Sequence, residues 1–160
     1  MAEGYWWVPD ETEVFVIGQK IGEPLANGLI RFTVGGSKQV SANKDQCYPS
    51  RVSTANAVPA PDDLVSIPDV NQPSILACTK IRFLRRQIYT DIGAVLMSLN
   101  PFERLPNLYG DKVIRQYSNP FTAGLSPHVY MIPSRAFQTM KDTGRNQSIL
   151  ISGESGAGEY

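Results

Sequence analysis

Residues 53–73 read STANAVPAPDDLVSIPDVNQP, with prolines at 59, 61, 68 and 73 and few apolar side chains. Proline fixes its own φ, has no N–H to give to a helix or a strand ladder, and biases the preceding residue toward extended backbone. A stretch so dense in proline can be neither a helix interior nor a central strand. It is expected to run as an extended surface linker and to split the chain in two. The organisation predicted is a first unit over residues 1–55, a linker over 56–73 and a second unit over 74–160. A chain of 160 residues with 42% hydrophobic content is long enough for two small packed units.

The two parts carry different patterns. Before the linker, short strand-like runs (YWWV, EVFVIGQ, GLIRFTV, KQVSA) are divided by Pro9-Asp10, Asn27-Gly28 and Gly35-Gly36, which predicts a small antiparallel barrel or sheet. Gly35-Gly36 fits a two-residue hairpin loop, whose central positions favour positive φ. After the linker, Ile75, Leu76, Ile81 and Leu84 recur at near-helical spacing between Ser74, a candidate cap, and Arg85-Arg86 at the C-terminal end. IYTDIGAVLMSL (88–99), rich in β-branched and apolar residues and ending at Asn100-Pro101, predicts a strand pair or a bent strand running into a loop. A short helix is expected near 110–117, and another begins at Ser134, carries Phe137 and Met140 on one face and ends at Gly144. QSILIS (147–152) closes the series as a compact strand.

Composition narrows the function classes. Lys plus Arg equals Asp plus Glu at 15 each, so no basic field points to nucleic acid or to an anionic membrane surface. Cys47 and Cys78 alone match neither a zinc pattern nor a disulfide-dense scaffold, which predicts a reducing, cytoplasmic setting. No apolar run approaches the roughly 20 residues that span a bilayer, and the amino terminus lacks a signal-peptide pattern. A soluble intracellular protein is expected.

The last ten residues, ISGESGAGEY, hold the candidate chemistry. A phosphate loop needs glycines so that successive backbone N–H groups turn inward, a lysine to reach the β and γ phosphates, and a Ser or Thr hydroxyl for magnesium. Gly153 and Gly158 have the right separation, although with 13 glycines in the chain such a pair arises by chance about once, as an ordinary glycine turn. A strand leading into the loop raises the functional reading, because such loops follow a strand's C-terminal end.

NQSILISGESGAG (146–158) resembles the strand and phosphate loop of the myosin motor head, where Lys-Thr would follow. NPFERLPNLY (100–109) resembles the myosin loop that packs against adenine, and SPHVYMIPSRAFQTM (126–140) the segment between them. YWWVPD and its strands resemble the Src-homology-3-like barrel that precedes many myosin motors, and DLVSIPDVNQPSIL the join between barrel and head. The matches are collinear and cover nearly the whole chain. The resemblance implies an α+β / α/β chain: a small SH3-like β-barrel followed by the beginning of a P-loop NTPase-type head. ATP would be bound by Asn100, Pro101, Arg104 and Tyr109 on the adenine side. Gly153, Glu154, Ser155, Gly156, Ala157 and Gly158 would form the phosphate cradle. The adenine loop is one residue longer than the common family spacing, which bears on Tyr109 more than on Asn100 and Pro101.

Glu159 and Tyr160 depart from the motif: a carboxylate repels phosphate, and a phenol is too long and rigid to replace a small magnesium-ligating hydroxyl. The resemblance further implies ATP and Mg2+ as cofactors of the full-length family, actin filaments and light chains as its partners through segments this sequence does not hold, and a cytoplasmic, cytoskeletal location. No catalytic or metal-ligating residue is assigned within the chain, and by itself it is expected to be inactive as an ATPase. Truncation, a shifted frame or splice at the last two residues, and a divergent pseudo-motor fragment remain as alternatives. So does a non-enzymatic module that binds a protein partner through the barrel.

Three further features have plain structural readings. Lys80, Arg82, Arg85 and Arg86 are expected to form a solvated face. His128, the only histidine, is expected to be structural. Of Trp6 and Trp7, one should face the core and the other be half exposed.

Overall fold

Alternation and turn residues in the first fifty positions produce the pairing they predict. In the computed structural model, which describes residues 4–119 and 124–153, five strands form one antiparallel sheet. They are β1 (Tyr5–Asp10), β2 (Val14–Ile21), β3 (Ile30–Val34), β4 (Lys38–Ala42) and β5 (Tyr48–Ser50), in the order β4-β3-β2-β1-β5. At the β1–β2 turn, Asp10 Oδ1 accepts N–H bonds from Thr12 and Glu13, both 2.9 Å. Those N–H groups, Glu13's foremost, hold its carboxyl below the usual carboxylate range. The β3–β4 loop is three residues long, Gly35-Gly36-Ser37, between paired Val34 and Lys38, rather than the two expected. Both glycines keep positive φ, 59° and 82°, and the extra residue gives the next most common hairpin loop.

Val8, Ile30, Phe32 and Cys47 make the buried cluster on one face, with Trp6, Val16, Val40 and Ala42 packed against it. Period-two geometry puts Trp6 beside Val8 and turns Trp7 to the opposite face, where it is only 2% exposed. The half-buried ring is therefore Trp6, while Tyr5 and Pro9, on the same face as Trp7, are exposed. Gly18, in the middle of β2, faces Phe32 closely: a Cβ there would lie 3.0 Å from Phe32 Cβ and 3.1 Å from Val34 Cγ2.

The proline-rich stretch, expected on the surface, sends Val58, Leu64 and Ile67 into the interior. Proline governs backbone path and not the fate of the apolar side chains between prolines. Contacts divide the chain into Met1–Ala60 with Ser66–Ile81, and Pro61–Val65 with Arg82–Tyr160. Helix α1 (Gln72–Leu84) starts two residues before the predicted cap, because Asn71 Oδ1 accepts the Ser74 N–H at 2.9 Å and so occupies the N-cap position. Its buried stripe is Ser74, Cys78 and Arg82, while Leu76 and Leu84 stay exposed.

Burial of Arg82 overturns the solvated reading of the basic run. Its Nε donates to Thr90 Oγ1 (2.9 Å), Nη2 to the Tyr89 carbonyl (2.9 Å) and Nη1 to the Pro61 carbonyl (2.8 Å) and to Asp62 Oδ1 (2.9 Å). A guanidinium can be buried when its donors are met in this way. Lys80 and Arg86 do remain exposed, paired with Glu13 and Glu103.

In the second unit, β6 (Tyr89–Ile92) and β7 (Val95–Ser98) form an antiparallel hairpin, the strand pair of the two expected readings. Asp63 joins it through a parallel bridge to Asp91, and Asp63 Oδ1 accepts the Gly93 N–H at 3.1 Å. Helices α2 (Asp111–Tyr117) and α3 (Met131–Thr143) follow. Helix α3 begins three residues before Ser134 and ends where predicted: Gly144 has φ 66° and donates to the Met140 carbonyl at 2.9 Å. Phe137 and Met140 are exposed rather than facing a core. QSILIS forms no strand, and Ile149, Leu150 and Ile151 are 50%, 91% and 75% exposed. A strand exists only by pairing, and no ladder partner for it occurs among the described residues. The described residues thus form a small mixed α/β architecture of antiparallel sheets and a few helices.

Candidate functional site

The β6–β7 hairpin delivers the chain into the loop 99–110. Leu99 N–H donates to the Ile88 carbonyl at 3.0 Å, which sets the loop's departure. Asn100 Oδ1 then accepts the Phe102 N–H at 2.8 Å, a local side-chain turn typical of Asn before Pro. Phe102 and Asn107 take positive φ of 52° and 62°, left-handed backbone that residues other than glycine seldom adopt. The result is a cleft of about 500 Å³ whose lining includes Tyr89, Asn100, Pro101, Arg104 and Tyr109. Arg104 is exposed, and the neighbouring Glu103 pairs with Arg86 at 3.3 Å.

Behind the cleft sits an aromatic cluster. The hydroxyls of Tyr89 and Tyr109 share a hydrogen bond of 2.7 Å. His128, only 3% exposed, lies with its ring 5.1 Å from that of Tyr89 and 5.8 Å from that of Tyr109, and stacks on Tyr117 at 4.7 Å. Its Nε2 is 2.9 Å from the Leu108 carbonyl and its Nδ1 accepts the Tyr130 N–H at 3.1 Å. Burial lowers the His128 pKa, with the Leu108 carbonyl opposing. Burial, and then the bond to Tyr109, pushes the Tyr89 phenol well above its ordinary value. Both groups are neutral at pH 7, and the cleft wall is polar without charge at its back.

Asn100, Pro101, Arg104 and Tyr109, which the resemblance assigns to the adenine side, therefore line one cleft. Gly153 is exposed and is not among its lining residues, and Glu154, Ser155, Gly156, Ala157, Gly158, Glu159 and Tyr160 lie outside the described residues. Tyr89 escaped the reading of the sequence. Four tyrosines at 89, 109, 117 and 130 around one histidine carry no periodic signal, since only the tertiary fold gathers them. Among the described residues, no group of three or more His, Cys, Asp or Glu side chains could hold a metal ion, and no helix is long and apolar enough to cross a membrane.

A family model described as Myosin head (motor domain) matches residues 61–160. The chain belongs to the myosin head family. It is 39% identical over 156 residues to the high molecular weight form of myosin-1 from Acanthamoeba castellanii, covering 96% of this chain and 10% of that protein. Identity to Myosin-14 of Arabidopsis thaliana is 36% over 154 residues, again 96% of this chain and 10% of the relative. Myosin-52 of Schizosaccharomyces pombe is 45% identical over 98 residues, 61% of this chain and 6% of that protein. Likeness to the first two myosins extends ahead of residue 61, into the five-stranded sheet. The chain spans about a tenth of the length of these two relatives.

Proposed function

We propose that this chain is the amino-terminal part of an actin-based, ATP-driven myosin motor. Residues 1–55 are its SH3-like barrel, 56–73 the join, and 74–160 the start of the P-loop head. The observation that carries the reading is the convergence of Asn100, Pro101, Arg104 and Tyr109, chosen by motif, on one cleft. That cleft takes the adenine, with a flat apolar proline face and hydrogen-bonding side chains around it. Gly153 to Gly158 cradle the phosphates. In the whole motor, ATP with Mg2+ is the substrate, positioning and charge neutralisation supply the catalysis, and actin filaments and light chains are the partners, in the cytoskeleton.

Alone, the chain does not hydrolyse ATP or hold magnesium-ATP tightly. Glu159 stands where the family lysine reaches phosphate. At an effective dielectric near 20, a unit charge about 4 Å away contributes roughly 4 kcal/mol, about half of the roughly 8 kcal/mol of a micromolar complex, and here its sign is reversed. Tyr160 supplies no small hydroxyl for magnesium. Calorimetry of the chain with magnesium-ATP tests this, expecting no saturation below about 10 micromolar, near −7 kcal/mol. Saturation there would refute the inactivity. Adenosine at millimolar concentration should shift the amide resonances of Asn100 and Tyr109, and the absence of any shift would refute the adenine assignment.

A further inference from the structure

We propose that His128, held as the neutral tautomer with its proton on Nε2, is the positioning residue that sets the wall of the 88–109 cleft through Leu108 and Tyr109. Its relevance to nucleotide rests on the adenine reading of that cleft; its role in placing the loop does not.

The tautomer follows from the partners. The Leu108 carbonyl at 2.9 Å can only accept, so Nε2 must donate; the Tyr130 backbone N–H at 3.1 Å can only donate, so Nδ1 must accept. A neutral imidazole with its proton on Nε2 satisfies both, and no other form does. The other tautomer would set lone pair against carbonyl and N–H against N–H, and the imidazolium would lose the Tyr130 bond.

One ring thereby ties two stretches 20 residues apart: the loop ahead of α2 and the turn that starts α3. His128 lines no part of the cleft, yet it bonds to Leu108 and packs on Tyr89 and Tyr109, three residues that do. Phenols face it from every packed element: Tyr89 from β6, Tyr109 from the loop, Tyr117 from α2 and Tyr130 ahead of α3. Such surroundings offer no counter-charge to an imidazolium, and burial acts in the same direction. The Leu108 carbonyl, a backbone acceptor that needs a partner when it is removed from water, finds one in the His128 ring.

The test uses the 160-residue chain. Nitrogen-15 NMR of the imidazole at pH 7 is expected to show a protonated Nε2 and a bare Nδ1. His128→Phe keeps a ring for stacking on Tyr117 but removes both bonds. It should speed exchange of the Tyr130 amide about tenfold, the effect of losing one buried hydrogen bond, and move the Leu108 and Tyr109 resonances. His128→Asn, with one donor and one acceptor, should recover part of both changes. A merely space-filling histidine would leave those resonances in place in His128→Phe. That outcome, or an Nδ1-protonated ring in the unaltered chain, overturns the proposal. Should His128→Phe fail to fold, the tautomer signature and His128→Asn decide the question. Adenosine titration of the unaltered chain is read separately, so failure of ligand binding there counts against the cleft's assignment and not against the role of His128.

Discussion

Two short apolar stretches end differently in this chain. Trp6-Trp7-Val8 in β1 is flanked by β2 and β5, and Trp7 and Val8 are almost wholly buried. Ile149-Leu150-Ile151 has no ladder partner among the described residues and keeps its side chains in solvent. Hydrophobicity supplies the drive to burial in both cases. What separates them is a neighbour able to satisfy backbone N–H and C=O groups while covering the side chains.

The largest expected contrast is in amide exchange. Global stabilities of 5 kcal/mol or more correspond to protection of about 10⁴-fold. The β1–β3 amides should approach that value and Ile149 to Ser152 should exchange almost freely; comparable protection in the two would break the comparison. Next in size is Phe32→Ala, which empties the centre of the cluster on the paired sheet. It should destabilise the first unit by about 3–5 kcal/mol, seen as a lower midpoint in denaturant unfolding.

Arg82→Met asks whether the second unit depends on partnership in the same way. Removing the guanidinium leaves the Pro61 and Tyr89 carbonyls and the Thr90 hydroxyl short of donors, and should cost about 3 kcal/mol, read from the loss of β6–β7 protection. Acid gives a smaller effect. The folded-state pKa of His128 lies below its ordinary value, so the unfolded chain binds the extra proton first. This contribution to stability is complete above about pH 6.5 and is lost as pH falls from there through the depressed value. Thermal unfolding from pH 7 to 5 should show the decline, and His128→Asn should flatten it. The smallest change is Leu150→Ser, expected to alter stability by less than about 0.5 kcal/mol while raising solubility; a large loss would mean that the exposed stretch is covered after all.

Legibility followed the range of the interactions. Strands β1 to β4, the β6–β7 hairpin and the Gly144 cap are each specified within a few residues of sequence, and their positions could be read directly. The Asn100 turn is local as well, and Asn100 and Pro101 line the cleft that follows it. Arg82 could not be placed, because its acceptors lie at 61, 62, 89 and 90 and nothing within the run KIRFLRR (80–86) announces them. Ser74 looked like a cap until Asn71 supplied the earlier one. The histidine was expected to be structural and is buried with both nitrogens engaged, but its four phenol neighbours come together only in three dimensions. QSILIS is the opposite case: a strong local strand pattern whose outcome depends on partners elsewhere.

The left-handed backbone of the loop after Asn100 has a consequence for its conformational entropy. Two non-glycine residues, Phe102 and Asn107, sit in the left-handed region, where each side chain costs about 1 kcal/mol or more relative to ordinary backbone. That cost is met at folding, before any ligand arrives. A glycine at either place would relieve it while widening the set of shapes open to the loop, and a ligand would then have to freeze them out on binding. By carrying the awkward conformation permanently, the loop would offer any molecule entering the cleft a wall already in shape.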